Sequence, residues 1–128
     1  MPLTVRIETN DFERTSRITL AGRLDTVTAQ QLQGQLEPLL DGRYDYLVFD
    51  LAQLEFISSA GIRVLVHARK SMRPQEGGSV LMANAQPQIV KVFEIIKALP
   101  GMGVFENEAE MDVYIAKMQH RVRKGLPG

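Results

Sequence analysis

The residues best suited to chemistry lie in one short segment, Leu54 to Ile62, where Ser58 and Ser59 precede a small residue and a glycine. The segment joins an apolar run that predicts a strand to an apolar stripe that predicts a helix. A serine at a helix N-terminus can cap free backbone N–H groups, which is a structural role. The same position exposes a hydroxyl, and a phosphate attached there is favoured by the helix dipole. Both interpretations stay open for the two serines.

Phosphorylation at this helix start would act on a partner rather than on the fold. It would place about two negative charges on an outward-facing surface without melting the helix. A switch of this kind works by repulsion and bulk against a bound protein. The sequence therefore indicates a regulated binding surface as one use of the segment.

Serine hydrolysis is the competing chemistry, because a nucleophile elbow, G-x-S-x-G, also places its serine between a strand and a helix. Here the run Ser59 to Gly61 supplies the second half of that motif, but Ile57 occupies the first glycine position. The two histidines are His67, on the same predicted helix as Ser59, and His120, near the C-terminus. We interpret both as structural or surface residues and expect no hydrolase and no other enzyme activity.

The remaining composition narrows the function classes further. The chain has no cysteine, which excludes disulfides, zinc–thiolate sites and thiol nucleophiles. It contains no Walker A loop, no G-x-G-x-x-G and no His-Glu-x-x-His pair, so we expect no cofactor and no metal. Fifteen basic and fifteen acidic residues cancel, which argues against a nucleic-acid partner. Asp50 and Glu55 are interpreted as a strand-end residue and a solvated loop residue.

The strands that must position these residues are predicted from hydrophobic periodicity. Period-two alternation predicts two opening strands, the first over Leu3 to Ile7 and the second ending at Gly22. A nearly continuous apolar run, Tyr46 to Leu51, predicts a central strand covered on both faces. Val80 to Ala83 predicts another buried strand, and Val104 with Phe105 a short last one.

Four helices are predicted between and after these strands. The first has a capping box starting at Thr28, with Val27 as the outer residue of a hydrophobic staple, and Pro38 should loosen its last turn. The others are expected from about Ala60 to Arg73, from Pro87, and after Asn107. The alternation implies an α/β fold, in which an antiparallel hairpin opens a mixed sheet with parallel strands, covered by about four helices.

The length of 128 residues fits one domain, which we place at residues 1–118, followed by a basic, flexible tail at 119–128. The first residues show no basic region followed by a long apolar run, so we expect no signal peptide. No stretch approaches the length that spans a bilayer. We therefore expect a cytoplasmic protein with no membrane partner.

Taken together, several motifs resemble the STAS family of bacterial anti-sigma-factor antagonists, over nearly the whole chain. Gly22 to Asp25 resembles the family's early G-x-[LFV]-D turn, and Val48 to Leu51 its strand ending in D-L. Phe56 to Leu65 resembles the hallmark D-S-[STA]-G-L followed by an apolar helix. This sequence departs from the hallmark at Ser58, which replaces the aspartate and removes a charge beside the phosphoacceptor.

The resemblance implies partner switching. In the family, a kinase that is also the anti-sigma factor phosphorylates the serine that corresponds to Ser59, with Ser58 as the alternative here. The unphosphorylated form binds that kinase and frees the sigma factor, phosphorylation weakens binding, and a serine phosphatase of the PP2C type restores it. The implied partner-binding residues are those of the two neighbouring segments, namely Gly22, Arg23, Leu24, Asp25, Thr26, Ile57, Ser58, Ser59, Ala60 and Gly61.

Two points stay open from the sequence. Leu24 and Ile57 could add apolar contact to a partner, or they could pack in the core. The same domain could also serve a non-sigma partner, such as a secretion, signalling or transport complex, because one fold hosts many functions.

Overall fold

Five strands form one mixed sheet in chain order, β1-β2-β3-β4-β5. A computed structural model describes residues 2–72, 79–96, 102–105, 109, 110, 113 and 116. The strands are β1 (Thr4–Asn10), β2 (Thr15–Leu24), β3 (Tyr46–Ile57), β4 (Val80–Ala83) and β5 (Met102–Phe105). β1 pairs with β2 antiparallel, and every later pair is parallel. This confirms the predicted opening hairpin followed by parallel strands.

The helices follow the predicted apolar stripes. They are α1 (Thr26–Leu36), α2 (Ser59–Ser71) and α3 (Pro87–Ile96), with a 3-10 helix (Glu37–Leu39) directly after α1. The 3-10 turn contains Pro38, as expected of a proline that cannot continue an α-helix. Residues 109, 110, 113 and 116 are helical, within the predicted final helix. The predicted tail at 119–128 lies outside the described residues.

The main core lies between one face of the sheet and the helices. α1 buries Leu32 and Leu36, and α2 buries Val64, Leu65 and Ala68, at the spacing of one helical face. They pack in the same cluster as residues of the two central strands, among them Ile18, Leu20, Phe49, Leu51 and Leu54. Burying a leucine or phenylalanine stabilises the fold by about 1.5–3 kcal/mol. This core holds the start of α2, and therefore Ser58 and Ser59, against the sheet.

The predicted start of the first helix was wrong. Its N-cap is Asp25 rather than Thr28, and Thr28 instead occupies the third helical position of the capping box. The Asp25 carboxylate accepts the N–H groups of Val27 and Thr28, while Thr28 Oγ1 accepts the N–H of Asp25 at 2.8 Å. Val27 is 79% exposed and forms no hydrophobic staple. Aspartate, like threonine, is a favoured N-cap, so residue type alone did not decide between the two starts.

The central strand is longer than predicted, because it continues to Ile57 instead of ending near Leu51. β2 accompanies it over this length, up to the pair Leu24 and Ile57. Consequently Asp50 and Glu55 both lie within the strand, and neither is the strand-end or loop residue that we predicted. Asp50 is half-buried and accepts hydrogen bonds from Arg17 at 3.3 Å and Asn84 at 3.2 Å, which ties β2 and β3 to the end of β4.

Candidate functional site

The candidate site lies at the carboxyl edge of the parallel strands. β2 ends at Leu24 and β3 ends at Ile57, and these two residues are partners in the sheet. α1 and α2 begin directly afterwards, at Thr26 and Ser59. The topology therefore brings together the two predicted segments, residues 22–26 and 57–61. We call these segments with their immediate neighbours, residues 22–27 and 55–63, the switch edge; its role in binding a partner stays a prediction.

Ser58 is the N-cap of α2 and is half-buried. Its Oγ accepts the N–H of Gly61 at 3.3 Å, and its own N–H donates to the carbonyl oxygen of Leu24 at 2.8 Å. The backbone carbonyl of Ser58 also accepts the N–H of Ile62 at 3.0 Å. Three hydrogen bonds thus fix this residue between the end of β2 and the first turn of α2, which settles the capping question in favour of Ser58.

Ser59 is the first residue of α2, and its side chain is exposed. Its hydroxyl makes no hydrogen bond to any residue that the structure describes. The next residue, Ala60, is half-buried and has no hydroxyl that could be modified. Of the two serines, Ser59 therefore presents the free hydroxyl, and Ser58 places it by capping the helix.

Gly61 allows α2 to approach the end of β2 closely. A Cβ atom there would lie 2.6 Å from Leu24 Cγ and 3.1 Å from Ile57 Cγ1. Leu24 and Ile57 are 0% and 6% exposed, so their side chains belong to the core. The possibility that these two side chains supply exposed apolar contact to a partner is wrong, because they pack beneath Gly61. They support the switch edge from the core side.

Gly22 has a similar steric role on the other segment. It adopts a φ of 103°, which residues other than glycine rarely tolerate, and a Cβ there would clash with the carbonyl oxygen of Pro2. The register between β2 and β3 shifts just after it, between Gly22 and Arg23. The glycine therefore lets the strand bend immediately before the turn into α1.

The turn into α1 carries a capping carboxylate. The backbone N–H of Thr28 is the main cause that lowers the pKa of Asp25, and the Thr28 hydroxyl, the N–H of Val27 and the charge of Arg23 lower it further, partly opposed by desolvation. Because these contacts favour the charged form, Asp25 stays ionised at neutral pH. Thr26 is exposed beside it and offers a second hydroxyl at the edge.

Sequence reasoning missed two exposed apolar residues at the switch edge. Phe56 is 37% exposed and its ring lies under the guanidinium of Arg23, with 4.1 Å between Arg23 Cζ and the ring centroid. Val27 stands in the first turn of α1 and is 79% exposed. The exposure of Val27 could have been predicted, because it lies outside the apolar stripe formed by Leu32 and Leu36. The exposure of Phe56 could not, because it depends on the strand continuing past Leu51.

Within the described residues, which do not include His120, the geometry gives no support to activation of a serine by histidine. Ser59 and His67 are eight residues apart on α2, a separation of about 12 Å along the axis. His67 Nε2 instead lies 3.3 Å from Glu37 Oε1, on the surface. A shallow depression of about 450 Å³ lies nearby, lined by Gly22, Gln53, Glu55 and Gln86 among others, and neither serine lines it.

Within the described part of the chain, no three histidine, aspartate or glutamate side chains are grouped so that they could hold a metal ion. Among the same residues, no helix is long and apolar enough to cross a membrane.

The fold and the two short segments at its edge define a small mixed α/β domain of known type. The STAS domain family model matches residues 6–111, and the chain belongs to this family. BtrV of Bordetella bronchiseptica is 36% identical over 76 residues, which cover 59% of this chain and 65% of that protein. The anti-sigma-B factor antagonist of Bacillus subtilis is 25% identical over 93 residues, 73% of this chain and 84% of that protein.

Solved structures share the fold at low sequence identity. Unphosphorylated SpoIIAA, an anti-sigma factor antagonist, superposes with a TM-score of 0.67 at 18% identity, covering 89% of this chain and 98% of that one. An anti-sigma factor antagonist domain from Planctomyces limnophilus gives a TM-score of 0.73 at 17% identity, covering 88% and 97%. A chain of the Acinetobacter MlaFEDB complex gives 0.58 at 18% identity, covering 77% and 97%.

Proposed function

We propose that this chain is an anti-sigma factor antagonist that works by partner switching. The unphosphorylated form binds an anti-sigma serine kinase in the cytoplasm, and this releases the sigma factor that the kinase had held. The observation that carries the proposal is the placement of Ser59, an exposed free hydroxyl at the first residue of α2, beside the β2–α1 turn. Family membership and the names of the relatives support it.

In the proposed reaction the kinase transfers the γ-phosphoryl group of its ATP to Ser59. The Ser59 O–H bond breaks, an Oγ–P bond forms, the proton passes to a base of the kinase, and ADP leaves. A phosphatase of the PP2C type returns the hydroxyl by hydrolysis, releasing inorganic phosphate. This chain is then a substrate and a binding partner, with no enzyme activity, cofactor or metal of its own.

Ser59 is favoured over Ser58 as the acceptor by their different surroundings. The Ser58 hydroxyl already accepts the N–H of Gly61, and its backbone is tied to Leu24. Phosphorylating Ser58 would require its half-buried side chain to leave the cap. Phosphorylating Ser59 leaves the cap intact, because its hydroxyl is exposed and unengaged among the described residues.

The switch edge also explains why a phosphate would weaken binding. Phe56 and Val27 offer exposed apolar surface on the two segments of the switch edge, and an aromatic residue buried at an interface can contribute much of its binding energy. A phosphate would bring about two negative charges to this surface, and they lose their hydration when a partner covers them. We expect at least a tenfold loss of affinity, which corresponds to about 1.4 kcal/mol.

The acceptor is tested by incubating the protein with the cognate kinase and ATP and mapping phosphate by mass spectrometry. The matched variants are Ser59→Ala, Ser58→Ala and Ser71→Ala, the last at the other end of the same helix, where Ser71 is also exposed. We expect phosphate to be lost only from Ser59→Ala. Stoichiometric phosphate on native protein with none on Ser59, whether on Ser58 or elsewhere, would overturn the proposed site.

The partner is tested by capture with the unphosphorylated chain, using Ser59→Ala and Ser59→Asp as bait. We expect Ser59→Ala to retain a kinase-type anti-sigma factor and Ser59→Asp to lose it. Recovery of a transport or secretion complex instead would favour the alternative, a STAS module with a non-sigma partner. One fold neighbour is a chain of the Acinetobacter MlaFEDB complex, so the capture experiment includes this outcome.

A further inference from the structure

A positively charged side chain lies one helical turn after the proposed acceptor, on the same helix. Arg63 lies four residues beyond Ser59 in α2, and both side chains are exposed. Side chains at i and i+4 of a helix are neighbours, with about 5–6 Å between their Cβ atoms. Arg63 makes no ion pair or hydrogen bond with any residue that the structure describes. Its guanidinium is therefore available to a group attached at Ser59.

The neighbouring serine has no such partner. The residue four positions after Ser58 is Ile62, which is 6% exposed and packs in the core. A cation at i+4 thus distinguishes Ser59 from Ser58 within this helix. The distinction is independent of the capping hydrogen bond made by Ser58.

Other charged side chains at the switch edge are less suited to receive a phosphate. Arg23 is stacked on the Phe56 ring, and Asp25 and Glu55 carry negative charge. The Asp25 carboxylate is also occupied in capping α1. Arg63 alone in this group combines positive charge, exposure and a side chain without a described partner.

We infer that Arg63 binds the phosphate on Ser59 through an ion pair within α2. The inference rests on the proposed function, because it requires a phosphate at that residue. A guanidinium presents a planar fork of N–H donors that matches phosphate oxygens. The pair holds the dianion against the helix and removes the free Arg63 charge from the surface. Phosphorylation thereby changes two features of the switch edge together.

The test uses the full chain with phosphoserine introduced at position 59 during synthesis, so that no kinase is needed. The second ionisation of the phosphate, with a pKa of about 6, is followed by 31P NMR. Because a nearby cation favours the dianion, the native midpoint lies below that of Arg63→Gln by about 0.3 pH unit, the size of an exposed i,i+4 pair. The difference shrinks in 1 M salt, where screening is strong.

Lys70→Gln is the matched control, since it removes one exposed positive charge from the same helix. Lys70 lies eleven residues from Ser59, about 16 Å along the axis and beyond the usual screening length of about 10 Å. Arg63→Lys keeps the charge without the planar fork, and we expect a midpoint between those of native protein and Arg63→Gln. Phosphoserine at position 58 is not in the i,i+4 relation to Arg63, so its midpoint should shift less in Arg63→Gln than that of phosphoserine at position 59.

Equal midpoints for Arg63→Gln and Lys70→Gln would overturn the inference. Binding to the anti-sigma kinase is measured separately on the same samples. If phosphoserine at 59 left that affinity unchanged while the Arg63 effect was present, the proposed function would fail and the ion pair would stand. The two failures are therefore distinguishable, because the titration requires no partner protein.

Discussion

Replacing Gly61 by alanine tests how closely the helix that carries Ser59 must approach β2. The added Cβ would lie 2.6 Å from Leu24 Cγ and 2.9 Å from Leu24 Cδ2. Leu24 is fully buried, so the branched end of its side chain has no open space to retreat into. Overpacking of a core costs about 1–3 kcal/mol, and this site belongs at the upper end. The better helix propensity of alanine returns about 1 kcal/mol.

The expected net loss is therefore about 2 kcal/mol in the free energy of unfolding. For a domain of this size that corresponds to a fall of about 8 °C in Tm. Urea denaturation should show it as a shift of about 1 M in the midpoint, with an unchanged slope. If the clash displaces the first turn of α2, binding to the proposed kinase partner should weaken as well.

Gly34→Ala is the matched control, because it makes the same chemical change in another helix. Gly34 is exposed within α1, and a Cβ there would have no neighbour within 4 Å. Without a clash, the propensity gain remains, and we expect stabilisation of up to about 1 kcal/mol. The reasoning is refuted if Gly61→Ala is as stable as native protein, or if both substitutions change stability in the same direction.

Four further substitutions test residues around the candidate site. Asp25→Asn keeps a capping side chain but cannot ionise. The lowered pKa of Asp25 gives the native protein stability that is complete above about pH 4 and is lost as pH falls. The difference in unfolding free energy between native protein and Asp25→Asn should therefore change during an acid titration. Asp50→Ala removes the half-buried carboxylate that accepts hydrogen bonds from Arg17, Asn84 and the N–H of Ala52, and should cost about 2 kcal/mol in urea denaturation. Phe56→Ala should weaken kinase binding at least tenfold by calorimetry, whereas Ser58→Ala should lower helix stability by about 1 kcal/mol.

The sequence was most informative where one physical signal dominated. Period-two runs located the opening hairpin, and apolar stripes located α1, α2 and α3 with their buried faces. Pro38 and Pro87 correctly predicted a helix end and a helix start, because proline disrupts a helix interior but is tolerated in the first turn. These features depend on local chain geometry, which the residue order determines directly.

The errors came where two elements compete for the same residues. Thr28 and Asp25 are both good N-caps. Because β2 stays paired with β3 up to Leu24, the first helix begins directly afterwards and Asp25 is its N-cap. Past Leu51 the side chains no longer read as one apolar run, yet pairing with β2 keeps that stretch in the sheet as far as Ile57. The exposure of Phe56 follows from the same pairing. Tertiary contacts thus determine the detailed geometry of the candidate site, which the order of residues alone does not reveal.

The substitution of serine for the hallmark aspartate at position 58 preserves one property of that position and changes another. Aspartate and serine are about equally good N-caps, and Ser58 still accepts the N–H of Gly61. The position of Ser59 at the helix start therefore does not depend on a carboxylate. The change in charge is different, because a phosphate on Ser59 has no negative neighbour before it and has Arg63 one turn after it. Under the proposed function, the serine at position 58 therefore removes one source of repulsion on a phosphate at Ser59 while the helix start is kept.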